Sequence, residues 1–202
     1  LSRTKTKTAA GREFDCLRFQ TLAPRRSFFC YNTNMNKRLQ KQILTVVAKD
    51  QAMRFSGKWD AKIDRNNTKT LKKIIKKYGW PDIALVGKKA SQGAWLIAQH
   101  ADHDVKFQKY CLKLITERLK DRKIDPKNFA YLTDRVLVNS GKLQLYGTQF
   151  YLNKKGQLVP RSIKNKKELS KRRKKFYLEP FTKYKARLMN KQKLFKKQIP
   201  VK

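Results

Sequence analysis

Helical apolar spacing, cut repeatedly by stop signals and giving way to strand-like alternation only near residue 143, constrains this chain more than any other feature. Leu39, Ile43, Val46, Val47 and Met53 recur at helical steps and predict a helix over 37–55 with one buried stripe. Residues 57–67 are polar and turn-rich. Asn67 or Thr68 can cap a second helix, with Leu71, Ile74, Ile75 and Tyr78 inward and Gly79 as its stop. Trp80-Pro81 then imposes an extended turn. A short apolar segment, 82–86, is closed by Gly87.

The centre of the chain predicts a buried helix over 90–101, with Ala90, Gly93, Ala94 and Ala98 beside Trp95, Leu96 and Ile97. Small residues on one face let another helix approach closely. Asp104 can cap the next helix, whose apolar face is Phe107, Cys111, Leu112, Leu114, Ile115 and Leu119. Asp125-Pro126 combines a cap with a first-turn proline. The helix it opens carries Phe129, Leu132, Val136 and Leu137, and Gly141 ends it.

At 143 the period changes. Residues 143–152 alternate, 153–156 form a turn, and 157–163 return, which predicts a β-hairpin with a four-residue loop. In such a strand Gln144, Tyr146 and Thr148 share one face, and Leu145, Gly147 and Gln149 the other. Gly147 leaves room for a ligand or a neighbouring backbone. Helical character resumes over 165–178 and 180–189. The fold class is therefore α+β, a mainly helical single domain with one β-hairpin near residues 143–163.

Residues 1–34 show no sustained period and begin with Leu, whereas Met35 opens the first amphipathic segment. The expectation is a leader or upstream sequence at 1–34, one globular domain over 35–189, and a frayed basic tail at 190–202. A transit peptide is the rival reading of 1–34, which is rich in Arg, Ser and Thr and poor in acids, although it lacks an amphipathic Arg helix.

The chain carries 51 Lys and Arg against 14 Asp and Glu, a net charge of +37. Residues 154–202 hold 19 basic and 2 acidic side chains, a disproportionate share of the excess. Such a field attracts polyanions, and non-specific binding of nucleic acid or another polyanion through 164–202 is the expectation. The run Lys171-Arg172-Arg173-Lys174-Lys175 reads as the solvated face of a helix, as a polyanion contact or as a targeting signal. Lysine is also scattered along almost every segment, so compositional bias gives the same charge without any partner.

Apolar residues make up 40% of the chain, enough for a core. No stretch approaches the ~20 apolar residues that span a bilayer, so a soluble protein is expected. Cys16, Cys30 and Cys111 are odd in number, with no C-x-x-C spacing. They suggest no disulfide framework, and a reducing cytoplasm fits best. Cys111 falls in a helical apolar pattern and reads as a small buried side chain.

Four spaced segments carry a resemblance: Tyr78-Gly79-Trp80-Pro81; residues 94–104 (AWLIAQHADHD); Tyr131-Leu132-Thr133-Asp134-Arg135-Val136; and Gln144-Leu145-Tyr146-Gly147-Thr148-Gln149. In this order they resemble a mainly bacterial family known only as a domain of unknown function. The likeness runs from about Lys41 to about Met189. It implies a small intracellular domain and brings over no activity, substrate or cofactor. The typical member looks less basic and often has Pro where this chain has Val105.

His100 and His103 lie in one short window with Gln99, Asp102 and Asp104. Histidine is the natural acid or base near neutral pH, and a carboxylate can fix its tautomer. His100 and Asp134 are the candidate catalytic residues. Trp95, Gln99, His103, Arg135, Tyr146 and Gln149 are the candidate ligand-binding residues of an unknown small molecule. H-A-D-H-D matches no metal signature, so no metal is assigned. The cofactor is left unknown. No Gly-rich phosphate loop, G-x-S-x-G or H-E-x-x-H is present. The structural alternative is an interhelical clasp, with Asp102 and Asp104 capping, His100 bonding the last carbonyls, and Gln99 cross-linking backbone. Three classes stay open: a small-molecule or enzymatic domain, a basic binding module, and a structural or protein-interaction domain.

Overall fold

The structure, a computed structural model, describes residues 4–7, 13–16 and 35–198. Strands β1 (Thr4–Lys7) and β2 (Glu13–Cys16) pair antiparallel in a segment where no strand is expected from the sequence. The rest of 1–34 lies outside the described residues, as do 199–202.

Helix α1 (Lys37–Phe55) follows the predicted span, with the Leu39 N–H donating to the Asn36 side chain at 2.9 Å. It buries Leu39, Ile43 and Met53 and, on the same stripe, Asp50. Helix α2 (Ala61–Tyr78) begins earlier than predicted. Asp60 is its cap, accepting from the Lys62 N–H at 2.7 Å, while Asn67 and Thr68 are buried inside the helix. The early turns look like a loop because their buried face is itself polar, made of Asp64, Asn67 and Thr68. Tyr78, expected inward, is exposed; Gly79 ends the helix as predicted.

Helix α3 (Ile83–His100) is broken at Gly87, whose φ of 77° and ψ of 163° suit only glycine. Its small face meets α1: a Cβ on Gly93 would lie 2.6 Å from Val47 Cγ2. Helix α4 (Val105–Leu119) starts where Asp104 accepts from the Phe107 N–H at 2.9 Å. It turns Phe107, Cys111 and Ile115 inward, with Leu112 and Leu114 packed beside them. Helix α5 (Pro126–Asn139) starts at the predicted Asp125 cap. α1 lies against α3, α2 against both, and α4 against α5. Their apolar faces form one core that includes Ile43, Leu71, Trp80, Ile97, Ile115 and Leu132.

The hairpin is shorter than predicted. Strands β3 (Phe150–Leu152) and β4 (Leu158–Pro160) pair antiparallel, with Tyr151 opposite Val159. The turn at 153–156 closes as predicted, the Gly156 N–H donating to the Asn153 carbonyl at 2.9 Å, but Gln157 lies in the loop and not in the return strand, so the loop between the paired Leu152 and Leu158 is longer than the four residues expected. Residues 144–149 are not strand. Tyr146, Gly147, Thr148 and Gln149 are buried consecutively, so the expected two-faced alternation fails. The N–H groups of Leu145, Tyr146 and Thr148 go to the Asp134 side chain and that of Gln149 to the Gln144 side chain, whereas Gln144, bridged to Ile163, donates its N–H to the Ser162 carbonyl. The close neighbours at Gly147 are side chains, the ring of Phe181 and the tip of Ile163, rather than a backbone.

A 3-10 turn (Lys166–Glu168) leads into α6 (Leu169–Lys175), which is shorter than expected. Helix α7 (Phe181–Gln198) is longer and takes in residues assigned from sequence to the tail. No Gly or Pro interrupts it before Pro200. The whole is a mainly helical α+β domain.

Candidate functional site

The packing that sets Val47 against Gly93 sets Asp50 against His100 further along the same two helices. The Asp50 oxygens lie 2.9 and 3.0 Å from His100 Nδ1. Asp50 is sealed from solvent, and Gln51 Nε2 donates to its second oxygen at 2.7 Å. Arg54, one turn along α1, joins three helices. Its Nη2 donates to Asp64 on α2 at 2.6 Å, and its Nε lies 3.0 Å from His100 Nδ1. Trp59 Nε1 donates to the other Asp64 oxygen at 3.1 Å.

Nδ1 has a carboxylate and a guanidinium at equal distance and can satisfy only one. A proton there goes to Asp50, which offers two acceptor oxygens, and Arg54 then contributes charge rather than a hydrogen bond. Burial pushes the Asp50 carboxyl up, but the hydrogen bond and charge of His100, with help from Gln51 and Arg54, outweigh it and hold Asp50 below the usual carboxylate range. His100 Nε2 has no hydrogen-bond partner among the described residues and is not sealed; the side chain is 20% exposed. This is an Asp–His pair with one ring nitrogen anchored and the other reaching the surface.

Asp134 belongs to a different network. Its carboxylate, 0% exposed, accepts the backbone N–H groups of Leu145 at 2.7 Å and of Tyr146 and Thr148 at 2.9 Å, and the Thr148 hydroxyl at 2.9 Å. Burial pushes the carboxyl up against the pull of these donors. Gln149 Nε2 donates to Thr148 Oγ1 at 3.0 Å, and Arg135 Nη1 donates to Gln149 Oε1 at 3.0 Å. Arg135 grips Asp102 through both Nε, at 2.8 Å, and Nη2. Asn139 and Gln108 also donate to Asp102, and Gln108 donates to the Ala98 and Gln99 carbonyls at the end of α3.

Of the candidate residues, then, Asp134, Arg135 and Gln149 come together, with Tyr146 held by its backbone. His100 stands in the Asp50 network. Trp95 donates through Nε1 to the Asn128 carbonyl at 2.9 Å and sets its ring edge-on to Tyr131. Gln99 is buried, and its Nε2 has no hydrogen-bond partner among the described residues. His103 is exposed. Tyr146 packs edge-on against Phe176, and burial raises its phenol to about 12. Cys111 is fully buried, which pushes its thiol up.

Asp50, Gln51, Arg54 and Asp64 were not singled out from the sequence. A signal existed for Asp50, a charged residue on the apolar stripe of α1, where a buried charge needs a partner. Among the described residues no group of three or more His, Cys, Asp or Glu could hold a metal, and no helix is long and apolar enough to cross a membrane. A surface cavity of about 780 Å³ beside the Gly87 break is lined by Met35, Gln40 and Leu44 and does not include His100.

A family model described as "Family of unknown function (DUF6624)" matches residues 31–197, a span that includes all four motif segments. No curated protein and no solved structure matches the chain.

Proposed function

We propose a function for this chain, which belongs to the family of unknown function DUF6624, centred on His100: general acid–base chemistry on a small anionic molecule. One observation carries the reading. His100 is anchored through Nδ1 on a sealed carboxylate while Nε2 reaches solvent, the arrangement that holds an imidazole in one tautomer and presents the other nitrogen to a reacting group. Arg54, partly exposed beside the ring, supplies a positive charge for the anion. Trp59, 68% exposed and tied to Asp64, supplies an aromatic wall. Asp134 serves as frame in this reading, because donors already occupy both of its oxygens.

A metabolite-library thermal-shift screen of the parent, His100→Gln and Asp50→Asn tests it. Gln can still donate to Asp50, so His100→Gln is expected to stay folded and lose the ligand-induced shift. Failure of every ligand to shift the parent, together with strong destabilisation of His100→Gln, would make the cluster an interhelical clasp.

A second reading, polyanion binding, is favoured by the C-terminal surface. Lys164, Lys166, Lys167, Lys171, Lys174 and Lys175 are all exposed there, and Arg187 already engages Glu179, one of the two carboxylates of 154–202.

A further inference from the structure

A second cavity, of about 600 Å³, opens between the start of α5, the end of α6 and α7. Lys127, Arg173, Lys174 and Arg187 line it, against one carboxylate, Glu179. Arg187 engages that carboxylate through Nε at 2.9 Å and Nη2 at 2.6 Å. The lining therefore keeps a surplus of positive charge.

Arg173 is the unusual member. It is 1% exposed, and its guanidinium lies over the rings of Tyr184 and Phe181, contacts that fix its plane without offering an acceptor. Nε and Nη1 donate to the backbone carbonyls of Glu179 and Tyr146. Nη2 has no hydrogen-bond partner among the described residues. No carboxylate pairs with this guanidinium among the described residues, and a buried cation without a counter-ion is unfavourable.

Tyr177 is the second unusual member. It is the left-handed residue that ends α6, with a φ of 54° and with the Tyr177 and Leu178 N–H groups donating to the Lys174 and Arg173 carbonyls, and it is 73% exposed at the cavity. An aromatic face held outward beside cations is the combination that stacks a base next to a bound phosphate. Tyr131 adds a second ring to the lining.

We propose that this cavity binds a nucleotide unit, its phosphate met by the exposed Lys174 and Lys127 with the buried positive charge of Arg173 behind them, and its base stacked on Tyr177. The unit can be a free mononucleotide or one nucleotide of a single strand. This inference is independent of the chemistry at His100.

The test uses the full chain with AMP and with a short oligoadenylate, binding being read by calorimetry at low and moderate salt. The variants are Tyr177→Gly, Lys174→Gln and, as a charge control, Lys154→Gln with Lys155→Gln at the hairpin turn. Tyr177→Gly removes the left-handed strain, so the expected result is a raised melting temperature together with a loss of AMP affinity of roughly tenfold or more. Lys174→Gln is expected to weaken AMP while the control does not. AMP and oligonucleotide both binding, or AMP alone, supports the proposal and identifies the source of the unit. Oligonucleotide binding that falls equally in the control and in Lys174→Gln shows diffuse charge and overturns it, as does the absence of binding to either probe.

Discussion

The Asp134 carboxylate accepts both the backbone N–H and the hydroxyl of Thr148, each at 2.9 Å. Leu145 and Tyr146 donate to the same carboxylate from the loop that precedes β3. A side chain on α5 thus does for this loop what a partner strand does in a sheet. The loop then presents Gln149 to Arg135, and Arg135 to Asp102 at the end of α3. The clasp links α3, α4, α5 and the hairpin through one continuous set of hydrogen bonds.

Asp134→Asn is expected to lower stability by about 2–4 kcal/mol, because an amide nitrogen would face N–H donors that have no other acceptor. Thr148→Val removes only the hydroxyl and is expected to cost about 1 kcal/mol. Urea unfolding of both variants measures this. A near-neutral Asp134→Asn would show that the loop is held by its apolar contacts instead.

Gly93→Ala should destabilise the domain even though alanine favours helix. The added Cβ would meet Val47 Cγ2 at 2.6 Å in the closest part of the α1–α3 contact. The expected loss is about 1–3 kcal/mol. Val47→Ala in the same chain should recover part of it, and a double-mutant cycle on melting temperature would display that coupling.

Asp60→Ala tests where α2 begins. Loss of the acceptor for the Lys62 N–H is expected to cost about 1 kcal/mol and to fray the first turn, where Asp64 holds Arg54 and Trp59. Thermal unfolding gives the energy. Hydrogen exchange at 61–65 should quicken, whereas an unchanged rate there would place the functional start of the helix elsewhere.

Acid should weaken the fold through Asp102, Asp50 and Asp104. Burial pushes Asp102 up, but Arg135, Asn139 and Gln108 outweigh it and hold the carboxyl low. The Lys72 hydrogen bond is the main cause for Asp104. Unfolded, such groups take up protons near pH ~4. Folded, they resist until lower pH, so the unfolded state gains protons first as pH falls. The stability they add is complete above roughly pH 4–5 and is lost as pH drops through their depressed values. Asp134 acts with the opposite sign over a higher range. The melting temperature should fall steeply in acid, and Asp102→Asn should lie lower at neutral pH with a flatter acid limb. An acid limb equally steep in Asp102→Asn would remove Asp102 from the account.

Much of the helical frame was legible in the residues alone. Asp104, Asp125-Pro126, Gly79, Gly87 and the turn at 153–156 act on backbone groups a few positions away, and the burial of Cys111 follows from its place on one helix face. The start of α2 was missed because Asp64, Asn67 and Thr68 form a buried face that is polar. Only the tertiary structure decided the polar networks. Asp50 meets His100 across 50 positions because two helices pack in one particular register. Asp134 meets the 145–148 backbone because the chain turns back after α5. Neither contact is encoded in periodicity, which reports which face is buried and not which side chain lies opposite.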